Sequence, residues 1–545
     1  MSNRIKTTST ENHSKYYDWR LIGNFDRYFD HKYSPFILSV FYSISILIIA
    51  LVWHTIGDYY VETDFYWSYA PQAKSILNGI IVIDDFKGPG YPILLALGKI
   101  FIDDYFKVGI LLSALSGGIV LFFLYRTIQR LFNGEIAFLV TVATMLNKIF
   151  VQYSYTASTD MVFSALILAA IYLLFKDDAF SIFSLLLAGI VSGYAYIVRY
   201  NGIALVVGFI FTFILFNAKQ CPIKKRLSAL GYYLLGFAII WLPWSLFLLV
   251  KTGDVFYQKN YLNMAFEVYG KRHFQWDEWW TKEAGKFTSL TNVIFYDPFT
   301  FLQITILNIY NHLLEDIALL MDQWIGIFSF IAIFVVVFFK LSKKQYGVIL
   351  FGFCYFIFLL PVFYGERFTL PLVGIYSLLA ILFFSWRNIS RFKIKGTSFT
   401  FIVMLILFLF SGINAVSYNV KNISSGPEEV INIVSDFKSR FGENKNDERV
   451  VARKPQIAYY LNMNYIAFPN VETIDDLIRE CRKQNVGYLY YSGNEATLRP
   501  QFKKVFRGTI APIGFKLVAI STRPVALLYK IDYEQIEQNN NSIIK

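Results

Sequence analysis

The sequence predicts a polytopic α-helical membrane protein that ends in a small α/β domain. Three observations carry this expectation. Of 545 residues, 55% are hydrophobic and only 17% charged, whereas soluble domains hold roughly 45–50% apolar and about 25% charged residues. Apolar runs of roughly 16 to 23 residues recur between short basic loops, the length a helix needs to cross a hydrocarbon layer of about 30 Å. From about Lys421 the long runs give way to polar segments, short alternating strands and amphipathic helices.

The expected spans are 35–53, 107–125, 136–152, 160–175, 180–198, 202–217, 228–250, 322–340, 346–363, 369–386 and 398–416, eleven in all, so that the two ends lie on opposite sides. The first run begins at Pro35, too late and too long for a cleaved signal peptide. Orientation follows from the basic loops, because Lys and Arg close to a span stay on the cytoplasmic side. With the N-terminus inside, the short inner segments hold Arg126 and Arg130, Lys176, then Lys219, Lys224, Lys225 and Arg226, then Lys340, Lys343 and Lys344, and finally Arg387, Arg391, Lys393 and Lys395. The N-terminal segment adds Arg4, Lys6, Arg20 and Arg27. The expected organisation is a cytoplasmic segment 1–34, a membrane domain 35–417 with outward loops 54–106 and 251–300, and an extracytoplasmic α/β domain 418–545.

The net charge of +12 lies beside apolar runs, where basic residues meet anionic lipid, so nucleic acid is not an expected partner. Cys221, Cys354 and Cys481 fall in a cytoplasmic loop, a span and the outer domain; sharing no aqueous compartment, they are expected to form no disulfide. In the C-terminal domain, 427–441, 471–484 and 497–506 read as helices, and 450–452, 487–491, 515–520 and 524–531 as strands. The domain has no Gly-rich phosphate loop and is not expected to bind a nucleotide.

The first outward loop concentrates the chemistry. Thr63-Asp64-Phe65-Tyr66-Trp67 leads into a helical stretch, 69–77, then Asn78-Gly79, then Asp84-Asp85-Phe86-Lys87-Gly88-Pro89-Gly90 and an apolar run, 91–102, too short to cross. A carboxylate beside aromatic residues at the membrane face is partly desolvated, which suits a general base. The bland alternative is a solvated loop with a helix cap. The second outward loop holds Tyr257, Tyr261, Tyr269, Trp276, Trp279 and Trp280, aromatics that settle at headgroup depth. His54, His273 and His312 are lone histidines with no partner at zinc-ligand spacing. Asp316 and Asp322 read as polar cavity walls or caps.

An acid just after the first span, a helix ending in Leu77-Asn78-Gly79 and the Lys87-Gly88-Pro89 turn resemble the GT-C membrane glycosyltransferases, specifically the protein mannosyltransferase and ArnT-like branch. Arg199-Tyr200-Asn201-Gly202 and Glu366-Arg367-Phe368, followed by Pro371, are similar to further segments of bacterial members, so the resemblance extends over most of 35–417. Two departures stand out: Asp64 is followed by Phe65 where the family usually has Asp-Glu, and its spacing to Gly79 is one residue longer.

The resemblance implies a polyprenyl-phosphate-linked sugar donor and transfer on the outer face to a protein, lipid or glycan acceptor. It implies Asp64 as catalytic base, with Glu62 and Asp58 in reserve. Lys87, Arg199 and Arg367, with Tyr200 and Asn201, are then the donor-phosphate residues; as headgroup anchors the three cations would have an ordinary explanation. Asp160 orients the acceptor, shares a divalent cation with Asp64, or caps its helix, and Glu366 supports Arg367. A flippase for lipid-linked sugar and a noncatalytic envelope-assembly subunit are the competing functions. A flippase predicts ionisable residues at mid-helix depth, whereas the charges here gather towards one face.

Overall fold

A computed structural model describes residues 29–176, 181–216, 222–390, 393–394, 397–443, 447–507 and 512–543. Arg4, Lys6, Arg20, Arg27, Lys219, Cys221, Arg391 and Lys395 lie outside the described residues. The chain forms two compact units, one of residues 1–51 and 75–421, the other of residues 52–74 and 422–545. The start of the loop 54–106 thus belongs with the C-terminal domain.

The larger unit is helical. Among the described residues, five helices are long and apolar enough to cross a membrane: Ser34–Trp53, Tyr105–Leu131, Ile223–Thr252, Glu366–Ser385 and Phe399–Phe441. Two bent pairs bring the number to seven if each is one span. The first pair, Gly134–Met145 and Lys148–Tyr155, turns by 68° at Asn147, whose side chain caps the second helix by accepting from Phe150 N at 2.8 Å. The second, Leu290–Tyr296 and Pro298–Leu320, turns by 97°. The sequence reading left this stretch inside and beyond a loop, because Asn308, His312, Glu315 and Asp316 interrupt its apolar run. Thr159–Phe175, Ile182–Val198, Tyr200–Thr212 and Gln323–Phe339 are shorter apolar helices of 10–17 residues.

Small residues let the helices approach one another. Ile182–Val198 crosses Ile223–Thr252 where a Cβ on Gly189 would lie 2.1 Å from the Tyr233 carbonyl oxygen, and one on Gly236 would lie 2.1 Å from that of Leu186. Backbone contact of this kind is how membrane helices gain packing energy when lipid is as apolar as leucine. The crossing fixes the end of Ile182–Val198, from which Arg199 projects.

The aromatics of the loop 251–300 build a small core of their own, with Leu262, Phe266, Trp279, Phe287 and Val293 buried together. This loop and the loop 54–106 are tied to each other. Lys259 N donates to Asp85 O at 2.6 Å, Tyr257 Oη and Lys259 Nζ each donate to the Asp85 carboxylate at 2.7 Å, and Asn260 Nδ2 donates to Phe86 O at 3.1 Å. Partial burial works the other way, yet the bonds from Lys259 and Tyr257 hold the Asp85 carboxyl below the ordinary aspartate range.

The second unit is built on a five-stranded sheet, in spatial order Asn464–Ala467, Arg449–Ala452, Tyr488–Tyr491, Val525–Ile531, Phe515–Thr522. The first three strands run parallel, and Val525–Ile531 pairs antiparallel with both Tyr488–Tyr491 and Phe515–Thr522. Both faces are covered: Val450, Ala452, Tyr488 and Tyr490 enter one core and Val451, Leu489 and Tyr491 the other, as a period of two requires. Strand Asn464–Ala467 was missed in the sequence because it is a short, half-exposed edge. The expected helix 497–506 is broken instead, with Arg499 at φ −133° and ψ 63°, since the residue before a proline is pushed away from helical geometry. Cys354 and Cys481 are free thiols in different units.

Candidate functional site

In the larger unit, Asp160 occupies the first turn of Thr159–Phe175 but does not cap it; Ser158 does, its hydroxyl accepting from Asp160 N at 3.4 Å. The Asp160 side chain is fully buried and faces two arginines. Arg199 Nη1 donates to Asp160 Oδ1, and Arg367 Nε lies 3.5 Å from the same oxygen, an ion-pair separation beyond a good hydrogen bond. The guanidinium of Arg199 lies 5.7 Å from the ring of Phe163 and 5.2 Å from that of Phe368, with Arg367 5.8 Å from Phe368. Both arginines are therefore turned towards a buried carboxylate and aromatic faces, a different setting from a lipid anchor.

Two guanidinium groups converge on one carboxylate, with Arg199 12% and Arg367 24% exposed. Asp160 Oδ2 is buried with no hydrogen-bond partner among the described residues. A carboxylate enclosed by two guanidinium groups is a poor ligand for a divalent cation. Among the described residues, no three His, Cys, Asp or Glu side chains converge to hold a metal. The residues at Asp160 fit an anion and an O–H donor, not a metal.

Lys87 reaches the same neighbourhood through its turn. Asp84 Oδ1 accepts from Phe86 N at 2.9 Å and Lys87 N at 3.2 Å, shaping the approach. A Cβ on Gly88 would lie 2.0 Å from Ile197 O, and one on Gly90 2.8 Å from Val198 N. The Lys87-Gly88-Pro89-Gly90 turn therefore lies directly on the backbone preceding Arg199, and Tyr194 Oη fastens it by donating to Gly90 O at 2.9 Å. Gly88→Ala is expected to cost about 1–3 kcal/mol, as overpacking does. Thermal unfolding in detergent checks it; an unchanged Tm would show that the turn does not pack this way.

Tyr200 stacks edge-on against Tyr196 at 5.3 Å, and Asn201 is half-buried in the same turn. Glu366 opens the short helix Glu366–Thr369 that carries Arg367. The sequence reading named Phe368 only as part of its motif and missed Phe163, which follows Asp160 by three residues in the helix Thr159–Phe175.

Asp64 belongs to the other unit. It precedes the π-helical turn Phe65–Tyr69 without capping it and is half-buried. The two reserve acids have structural occupations. Glu62 is fully buried and accepts from His54 Nε2 at 2.8 Å and Asp58 N at 2.9 Å. Burial opposes protonation of His54, but the Glu62 charge and hydrogen bond outweigh it and raise the imidazole above its ordinary value. Asp58 accepts from Tyr60 N at 2.7 Å and Glu62 N at 3.3 Å.

Residues 87–244 match the family described as dolichyl-phosphate-mannose-protein mannosyltransferase. No curated protein matches the chain. Among solved structures, ArnT from Cupriavidus metallidurans bound to undecaprenyl phosphate is 12% identical, with 92% of this chain and 98% of that chain covered and a TM-score of 0.53. The Archaeoglobus fulgidus oligosaccharyltransferase in complex with Zn and sulfate is 12% identical over 92% of this chain and 73% of that chain, at a TM-score of 0.57. AglB from the same organism, in complex with an inhibitory peptide and a dolichol-phosphate, is 14% identical over 92% and 74%, at 0.54. The chain thus has the fold of these GT-C membrane glycosyltransferases and resembles their protein mannosyltransferase and ArnT-like branch.

Proposed function

We propose that the chain is an inverting glycosyltransferase that moves a sugar from a polyprenyl-phosphate donor to an acceptor hydroxyl at the outer face of the cell membrane. The observation that carries this reading is the convergence of Arg199 and Arg367 on buried Asp160, with the Lys87 turn packed against the backbone before Arg199. Guanidinium groups pair with phosphate oxygens in a fixed fork, and lysine adds a point charge.

In the reaction, the acceptor oxygen attacks the anomeric carbon and gives up its proton to the Asp64 carboxylate. The bond from that carbon to the phosphate oxygen breaks, and its electron pair leaves with the polyprenyl phosphate. Lys87, Arg199 and Arg367 stabilise the charge on the leaving phosphate, Tyr200 and Asn201 line the same turn, and Asp160 orients the arginines while its Oδ2 accepts from a sugar hydroxyl. One displacement inverts the anomeric centre. Acceptors are of the protein, lipid or glycan class.

The proposed topology is eleven spans with the N-terminus inside and the C-terminal domain outside. The pair Leu290–Tyr296 and Pro298–Leu320 enters as a re-entrant element, which leaves the sides of the other spans unchanged. The test is transfer of labelled sugar from synthetic polyprenyl-phosphate donors by the purified full-length protein in detergent, with the anomeric configuration of the product read by NMR. Transfer with inversion is the expected result. Donor binding without transfer to any of a broad acceptor panel would favour a flippase or an assembly subunit.

A further inference from the structure

Segment 52–74 folds as part of the C-terminal unit. Ile56 enters the apolar core with Val430, Ile433 and Leu528. Gln456 Nε2 donates to Asp58 O at 2.6 Å, Tyr59 Oη donates to Glu429 Oε1 at 2.8 Å, and the hydroxyls of Tyr66 and Tyr460 lie 3.0 Å apart. The acidic segment is therefore shaped by a domain whose sequence lies some hundreds of residues away.

The sheet of that domain has a point of reversal. From Arg449–Ala452 the chain passes to Asn464–Ala467 on one side, then crosses to Tyr488–Tyr491 on the other, all three parallel. In such sheets, functional groups gather at the carboxyl ends of the strands where the order reverses. Here Arg449–Ala452 opens into Arg453-Lys454-Pro455. Lys454 Nζ donates to Thr63 Oγ1, next to Asp64, at 3.2 Å and lies 5.8 Å from the Tyr60 ring.

We propose that Lys454 is the positioning residue for Asp64: its ammonium holds the Thr63-Asp64 corner in place and keeps the carboxylate ionised, so that the C-terminal domain supplies part of the catalytic apparatus. This rests on the reading of Asp64 as the base. Burial, with Arg453, draws the Lys454 ammonium below the usual lysine range, while Asp58 and Asp64 pull it back up. The other charged groups around the segment are Arg453 and Asp58, which also act on Lys454, Glu62, bonded to His54, Glu429, bonded to Tyr59, and buried Glu495, bonded to Ser492 and Arg453 N.

The experiment compares wild type, Lys454→Met, Lys454→Gln and Lys454→Arg as full-length protein, matched for Tm, in transfer of labelled sugar from a polyprenyl-phosphate donor across pH. Loss of the cation disfavours the carboxylate, so the acidic limb of kcat/KM should move to higher pH by about half a unit or more. With it, kcat should fall about tenfold at an unchanged donor KM, and Lys454→Arg should restore both. An active Lys454→Met or Lys454→Gln whose acidic limb stays in place, or a limb that Arg does not restore, overturns the proposal alone. Wild type that binds donor and never transfers overturns the transferase reading, and the proposal falls with it.

Discussion

Asp64→Asn is expected to lower kcat by about 10²- to 10⁴-fold, the contribution of a positioned general base, while donor affinity stays close to wild type. The substitution keeps the shape of the side chain and removes its capacity to take a proton. Asp64 is half-buried and does not cap the π-helical turn Phe65–Tyr69, so the turn does not depend on it for a cap, and the two proteins are compared at matched Tm. Glu62 and Asp58 offer no substitute base, since Glu62 is buried against His54 and Asp58 is committed to backbone N–H groups. The measurement is single-turnover transfer beside equilibrium binding of the donor. Full activity in Asp64→Asn would leave the transferase standing and assign the base elsewhere; loss of donor binding together with activity would point to a role in holding the substrate.

How far such residues were legible from sequence depends on what each signal measures. Apolar length located the long helices Ser34–Trp53, Tyr105–Leu131 and Ile223–Thr252, because a bilayer imposes length and composition directly. It did not locate Pro298–Leu320. Asn308 and Asp316 are tolerated inside that helix because Asn308 Nδ2 donates to Leu360 O at 2.9 Å and Asp316 accepts from Tyr364 at 2.9 Å and Tyr376 at 2.7 Å. Such partners are tertiary and leave no mark on local composition. The same holds for the site. Asp160, Arg199 and Arg367 stood out singly as charges near helix ends, but their convergence on one carboxylate depends on a helix crossing set by Gly189 and Gly236. Residues 52–74 read as a membrane-domain loop by position in the chain, yet Ile56 and Tyr66 pack with residues of the C-terminal unit. A basic pair at the carboxyl end of a strand, Arg453-Lys454, was the one available hint of that association.

Asp160→Leu is expected to destabilise the protein by about 3–5 kcal/mol, the usual result of removing one partner from a buried ion pair and leaving the other charged. Arg199 and Arg367 would then face each other with no carboxylate between them, both largely buried. Their repulsion gives the variant a property that simple loss of packing would not. If the two guanidinium groups form the phosphate site, an anionic lipid can supply the missing charge, so polyprenyl phosphate should raise the Tm of Asp160→Leu by more than it raises that of wild type. Neutral polyprenol should not. Binding to the folded state adds stability as RT ln(1 + [L]/Kd), so the comparison is made at equal ligand concentration and with Kd measured for each protein. An unchanged Tm without ligand would mean that the Asp160 pair is solvated and does not hold the turns together. Destabilisation with the same ligand increment as wild type would keep the structural role of Asp160 and remove the arginines from the phosphate site, since a cluster that has lost its internal anion and still gains nothing extra from an external one is not where the phosphate binds.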